Sequence, residues 1–243
     1  MGAAQGSSPV GSAPGEQGGV AQQMADLARD MHGEPSSQEV LDRVVRSAVA
    51  LVPHAEDGTI SLVRARRSVV SAAATSDRGR RLDELQTEVG QGPCLDAAFE
   101  HQTTRVDDLG AEAGRWPLLA ARAEEVGRAS ILCLQLYVDG DNLGALNLLA
   151  ERPGAFDEDS EDVGLLIAAH AAVAVASAQK VENLSRGLAN RDIIGQAKGI
   201  LMERHKLSAD QAFELLSRYS QHTNRKLHDV AFELASTGQI PQR

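Results

Sequence analysis

The chain has 243 residues, 42% of them hydrophobic but only 3% aromatic, which is material for about two domains with cores built from Ala, Leu, Val and Ile. Its two cysteines, Cys94 and Cys133, exclude a disulfide framework, and the absence of a basic segment followed by an apolar run at the start predicts no secretion signal. The net charge of −10 is uneven: from Arg186 onward nine Lys/Arg face six Asp/Glu, against 15 and 28 before it, so an acidic body precedes a mildly basic tail suited to meet a polyanion.

Residues 1–19 are Gly, Ala, Ser and Pro with almost no large apolar group, too little to offset chain entropy, and predict a disordered tail. A short helix is expected from Val20 to Met31. A stronger one runs from Ser37 to Leu51, where Val40, Leu41, Val44, Val45, Ala48 and Leu51 recur at three- and four-residue spacings, with Ser36 or Ser37 as N-cap and Pro53 as stop. Two strands follow, Thr59 to Val63 and Ser68 to Val70, separated by the charged turn 64–67.

Leu82 to Val89 reads as a short helix. The turn Gly90-Gln91-Gly92-Pro93 then delivers Cys94 to the start of another, Cys94 to Glu100. Thr103 to Asp107 is a short strand, and Trp116 to Val126 is helical. Ser130 to Val138 and Leu143 to Ala150 form a hairpin through Asp139-Gly140-Asp141-Asn142, residues that tolerate positive φ. Both strands are apolar nearly throughout, which places them centrally in a sheet.

Phe156-Asp157-Glu158-Asp159 opens a long helix, its acidic first turn matched to the helix dipole. It has no stop before His205; Gly187, Gly195 and Gly199 are its weak points. Its most apolar part, Val163 to Ala178, is shorter than the roughly 20 residues of a membrane span, so a soluble, cytoplasmic protein with reduced thiols is expected. Two more helices follow. One begins with a Ser208-x-x-Gln211 capping box and carries Ala212, Phe213, Leu215 and Leu216 inward. The other follows His222-Thr223-Asn224-Arg225 and buries Leu227, Val230, Ala231 and Leu234, with Phe232 filling the centre.

The segment Ile194-Gly195-Gln196-Ala197-Lys198-Gly199-Ile200-Leu201-Met202, followed by Ala212-Phe213, Leu216, Ser220, Asn224, Lys226-Leu227 and Val230-Ala231, closely resembles the ANTAR family of antitermination output domains. The resemblance implies RNA binding: recognition of paired stem-loops with hexanucleotide loops in leader transcripts, in competition with a terminator hairpin. Loop bases are the part of RNA that side chains can read, and such a face needs cations for phosphates and polar groups for base edges. The candidates are Lys198, Arg218, Ser220, Gln221, Asn224, Arg225, Lys226 and His228. Asn224 could instead cap the third helix. His228 stands where related sequences often carry Arg, and Tyr219 could stack on a base or lie in the core.

Upstream, Gly90 to Ala97, the hairpin 130–150 and Phe156 before the long helix resemble a GAF sensor domain of the type that precedes ANTAR in actinobacterial proteins. The fold expected is therefore an α+β GAF-like sensor domain, an antiparallel sheet with helices over 20–180, joined by a long helix to an all-α three-helix ANTAR domain over 181–243. The resemblance implies a small-molecule ligand between sheet and helices without naming it; Asn147 and Phe156 loosely match a cyclic-nucleotide motif, but Leu148 stands where Lys is expected. Cys94 at a helix start is a candidate redox or ligand site, because the dipole lowers thiol pKa; burial as a small apolar residue is the alternative. No metal is expected, since His54, His101 and His170 lack ligand spacing. Without an elbow serine, P-loop or distinctive carboxylate pair, no enzyme is expected.

Val173, Val181, Leu184 and Leu188 lie at spacings of a helical seam, predicting a parallel coiled-coil homodimer. Input would enter through the GAF fold or from an upstream signalling protein. The competing reading is a ligand- or redox-sensing dimer whose terminal helices bind a protein.

Overall fold

The computed structural model describes residues 36–64, 68–99, 103–127 and 130–239. The expected tail 1–19 and the helix Val20 to Met31 lie outside them. The chain divides into two compact units, Met1–Ala178 and Gln179–Arg243.

In unit 1, α1 (Ser37–Leu51) starts at Ser36, whose hydroxyl accepts from the Glu39 amide at 3.3 Å while the Ser36 amide donates to Glu39 Oε2 at 2.8 Å. This reciprocal cap satisfies two helix-end donors. Strands β1 (Asp57–Arg64) and β2 (Ser68–Ala74) follow, then α2 (Asp77–Val89), α3 (Pro93–Phe99) and β3 (Thr103–Val106). After α4 (Pro117–Ala120) come β4 (Ser130–Val138) and β5 (Asp141–Ala150). The sheet order is β2-β1-β5-β4-β3, antiparallel throughout. The β4–β5 loop is tighter than the four residues expected: only Asp139 and Gly140 lie outside the strands, both at positive φ (50° and 88°), the backbone pattern of a two-residue hairpin.

The apolar run of the central strands reflects burial on both faces. Leu132, Leu134, Leu146 and Leu148 pack with Val44 and Ala48 of α1 and with Ile167, Ala171 and Val175 of the long helix α5 (Glu158–His205). Ile131, Cys133, Ala145 and Leu149 pack on the other face with Leu82, Leu85, Cys94, Ala97, Trp116 and Leu119. Gly164 brings α5 close to the sheet; a Cβ there would lie 2.6 Å from Leu134 Cδ1.

Two expectations about elements are corrected. The helix expected from Leu82 begins at Asp77, with Ser76 capping the Gly79 amide at 3.1 Å. Its polar opening turn hid it: Arg78 is spent on Asp57, 2.6 Å away on β1. The segment Trp116 to Val126 is two short pieces, α4 and a 3-10 turn Ala123–Val126, because Arg122 (φ −110°, ψ 10°) leaves the helical ladder between them. The long helix runs as expected: α5 passes Gly187, Gly195 and Gly199 without interruption over 48 residues, since isolated glycines cost only about 1 kcal/mol each in a helix. By length and composition α5 is apolar enough to cross a membrane; its inward residues Ile167, Ala168, Ala171, Ala172 and Val175 are buried in unit 1.

In unit 2 the end of α5 is followed by α6 (Ala209–Thr223) and α7 (Leu227–Thr237). The Ser208/Gln211 capping box is formed, with bonds of 2.9 and 3.3 Å. The core is Ala197, Leu201, Ala212, Leu216, Val230, Ala231 and Leu234, with Leu215, Tyr219 and Leu227 at its margin. Phe213 and Phe232, expected inside, are 44% and 54% exposed. The centre is filled by Leu201, Leu216, Val230 and Leu234 with Ala197, Ala212 and Ala231 between them.

Candidate nucleic-acid interface and buried sensor cluster

Lys198 follows the buried Ala197 on α5 and is half-buried. Its ammonium lies 5.9 Å from the centroid of the Phe213 ring on α6. Five residues beyond Phe213, about 140° around the helix, exposed Arg218 points to the other flank. There, Arg218 and Gln221 line an open groove of about 610 Å³ with Leu215, Tyr219 and His222. The eight candidates therefore do not form one patch: Lys198 and Arg218 occupy opposite flanks of α6.

The turn between α6 and α7 has a structural logic of its own. Asn224 takes the left-handed conformation (φ 52°, ψ 35°) and its amide bonds to Gln221 O. It ends α6 and does not cap α7, which corrects the cap considered for it; Asn is tolerated there because its short polar side chain lowers the cost of positive φ. The Ser220 hydroxyl donates to the Arg225 carbonyl at 2.6 Å, and the Arg225 amide donates back to Ser220 O at 3.1 Å. The Arg225 guanidinium pairs with Glu233 at 2.8 Å. Ser220 and Arg225 thus hold the turn.

Lys226 is exposed at the N-cap of α7, with no side-chain cap beside it, at the helix end whose first amides lack intrahelical partners. His228 lies over Phe232 at 6.2 Å and 15°, with Nδ1 3.4 Å from Asp229 Oδ1. Among the described residues, Lys198 and Lys226 take part in no ion pair.

Unit 1 holds a buried polar cluster that sequence reasoning missed. The Asn147 amide nitrogen on β5 lies 3.0 Å from Thr59 Oγ1, 3.1 Å from Ser61 Oγ, 3.2 Å from Asp83 Oδ1 and 3.4 Å from Cys94 Sγ. Burial pushes the Asp83 carboxyl up to about 6, against hydrogen bonds with Ser71, Ser61, Thr59 and Asn147 that favour its charged form. Gln86 Oε1 accepts from the Cys94 amide at 2.8 Å. Asp83 Oδ2, Gln86 Nε2 and Asn147 Oδ1 are buried without partners. A signal was present: Gly79, Leu82, Asp83 and Gln86 share one face of α2 at i, i+3, i+4 and i+7, putting two polar groups on the buried stripe.

Cys94 is completely buried, and its thiol is pushed up to about 12, first by burial and then by the charge of Asp83. The lowering expected from a helix start does not prevail, because α3 is only seven residues long and desolvation outweighs its dipole. Cys133 is buried on β4 and likewise raised by burial.

The chain thus has two parts, a sheet covered by helices on both faces around a polar cluster, and a compact helical unit in which Lys198 and Lys226 have no ion pair among the described residues. The chain belongs to the GAF domain family, whose model matches residues 34–176, and it carries an ANTAR domain over residues 182–234, which makes it a GAF–ANTAR regulator. No curated protein matches the chain. Among solved structures, the GAF domain from a phosphoenolpyruvate-protein phosphotransferase of Coxiella burnetii is 17% identical with a TM-score of 0.52, covering 68% of this chain and 96% of that one. The reduced form of fRMsr of Staphylococcus aureus is 14% identical with a TM-score of 0.50, covering 64% and 94%. The free methionine-R-sulfoxide reductase from Neisseria meningitidis, in complex with its substrate, is 15% identical with a TM-score of 0.49, covering 70% and 96%. At these identities the likeness to the Coxiella and Staphylococcus structures establishes the GAF fold alone.

Proposed function

We propose that the protein is a non-enzymatic, cytoplasmic regulator of the actinobacterial GAF–ANTAR type that binds stem-loop RNA with hexanucleotide loops in nascent transcripts and controls termination. The observation that carries this reading is the ANTAR match over helices where Lys198 and Lys226 stand without acidic partners among the described residues. Unpaired cations on a compact helical surface are what phosphate contacts require. Arg218 and Gln221 supply polar groups for base edges from their own groove. Ser220, Asn224 and Arg225 act mainly by shaping the turn that presents Lys226, and His228 packs on Phe232 within α7.

Input enters through the GAF unit, as a small molecule or from an upstream signalling protein. Val173, Val181, Leu184 and Leu188 on α5 are more than half exposed, which supports pairing with a second copy of the helix. A homodimer would offer one ANTAR unit to each loop of a paired stem-loop. The test is a titration of the full chain against a tandem hexaloop RNA and a scrambled control over a salt series. Preference for the hexaloop RNA, weakening steeply with salt, is expected. Equal affinity for both RNAs removes the antitermination reading and leaves a protein partner for the terminal helices.

A further inference from the structure

Aromatic residues are scarce in this chain, which has four Phe, two Tyr and one Trp, yet Phe213 stands 44% exposed on α6 beside the buried Ala212 and Leu216. Phe232 already has a ring partner in His228, and Tyr219 packs at the margin of the core. Phe213 has instead a cation: the Lys198 ammonium at 5.9 Å from its centroid, within the range at which a cation is drawn to an aromatic face. Among the described residues no carboxylate competes for that ammonium. A part-exposed ring next to a cation that has no carboxylate partner among the described residues can take a base on the ring and its phosphate on the cation, the combination with which proteins hold unpaired nucleotides.

We infer that Phe213 is a base-stacking position: an unpaired loop base lies on its ring while Lys198 holds the adjoining phosphate. The inference rests on the proposed RNA-binding function and assigns a contact within it. It also sets the register of the RNA, because the phosphate contact at Lys198 and the base contact at Phe213 then fall on the same nucleotide or on adjacent ones. The Arg218 groove, on the other flank of α6, would serve a different part of the loop or stem.

The experiment uses the full chain and the tandem hexaloop RNA at one salt concentration. Phe213→Leu keeps apolar bulk and removes the ring, and a loss of about tenfold in affinity is expected. Phe213→Trp keeps the ring, and is expected to retain affinity and to show emission quenched on RNA addition, read against the constant background of Trp116, which is buried in unit 1. RNAs carrying one abasic site at each loop position in turn then locate the contact. At one position the wild type and Phe213→Leu should bind equally, since the stacked base is gone from both.

Phe213→Leu binding like wild type overturns the stacking contact, as does an abasic series in which no position removes the difference between the two proteins. If Phe213→Leu does not fold, the Trp variant decides: RNA bound without quenching overturns the inference. A wild type that fails to prefer the hexaloop RNA over the scrambled control overturns the function on which the inference rests, an outcome distinct from loss of stacking alone.

Discussion

The side-chain amide of Asn147 on the central strand β5 donates to the Asp83 carboxylate on α2 across 3.2 Å, joining a strand buried on both faces to a helix that covers it. Asp83 is almost fully buried and one of its oxygens has no partner.

That arrangement predicts a particular pH dependence. The folded-state carboxyl titrates at about 6, above an unfolded value near 3.9. The folded protein therefore binds the proton more tightly. Stability contributed by this group is present below about pH 4 and is lost as pH rises to about 6, amounting to roughly 2–3 kcal/mol. Asp83→Asn should flatten that part of the profile and make the protein more stable than wild type at pH 7.5. Urea unfolding followed by Trp116 emission from pH 4 to 8 would measure it; parallel profiles for the two proteins would sink the prediction.

Cys94 and Cys133 should be inert in the folded protein. Both are fully buried and both thiols are raised by that burial, so the reactive thiolate is scarce and inaccessible. At pH 8 a disulfide reagent should label neither until urea unfolds unit 1, and then label two thiols per chain. Rapid labelling of the native protein would mean that this core opens readily.

Lys198→Gln and Lys226→Gln should each weaken RNA binding across sequences and reduce the slope of log affinity against log salt by about one. Arg225→Gln should leave that slope nearly unchanged, because its guanidinium is already paired with Glu233. It should cost folding stability no more than about 1 kcal/mol, the range of surface pairs. Filter binding at four salt concentrations distinguishes the cases; equal slopes for wild type and both lysine variants would contradict phosphate contacts there.

The seam on α5 can be broken without touching either core. Leu184 and Leu188 are 67% and 56% exposed, so Leu184→Glu with Leu188→Glu should leave circular dichroism unchanged and shift the protein from dimer to monomer in sedimentation velocity. A wild type that sediments as a monomer at tens of micromolar would rule out the pairing.

The elements that could be read along the chain are those whose signal is local. Ser36 with Glu39 and Ser208 with Gln211 announce helix starts through side chains three residues apart, and Asp139-Gly140 announces a hairpin through its tolerance of positive φ. The ANTAR motif was legible because its residues recur at short spacings within the last part of α5 and the two helices after it. Where polar residues open a helix, as in Asp77 to Arg81, the pattern was silent, because their partners lie far away in sequence, as Asp57 does for Arg78.

By itself, then, the order of residues determined most helix and strand positions, which follow from periodicity and capping within a few residues, and, through its resemblance to the GAF and ANTAR families, the two-part architecture and the Lys198 and Lys226 candidates. Only the tertiary structure decided which side chains face water. It turned Phe213 outward beside Lys198, set Arg218 on the opposite flank, assigned Asn224 to the end of α6 and gathered Asp83, Asn147 and Cys94 from three elements into one buried cluster. Burial and desolvation depend on the distance between parts of the chain that folding brings together, and no local pattern encodes that distance.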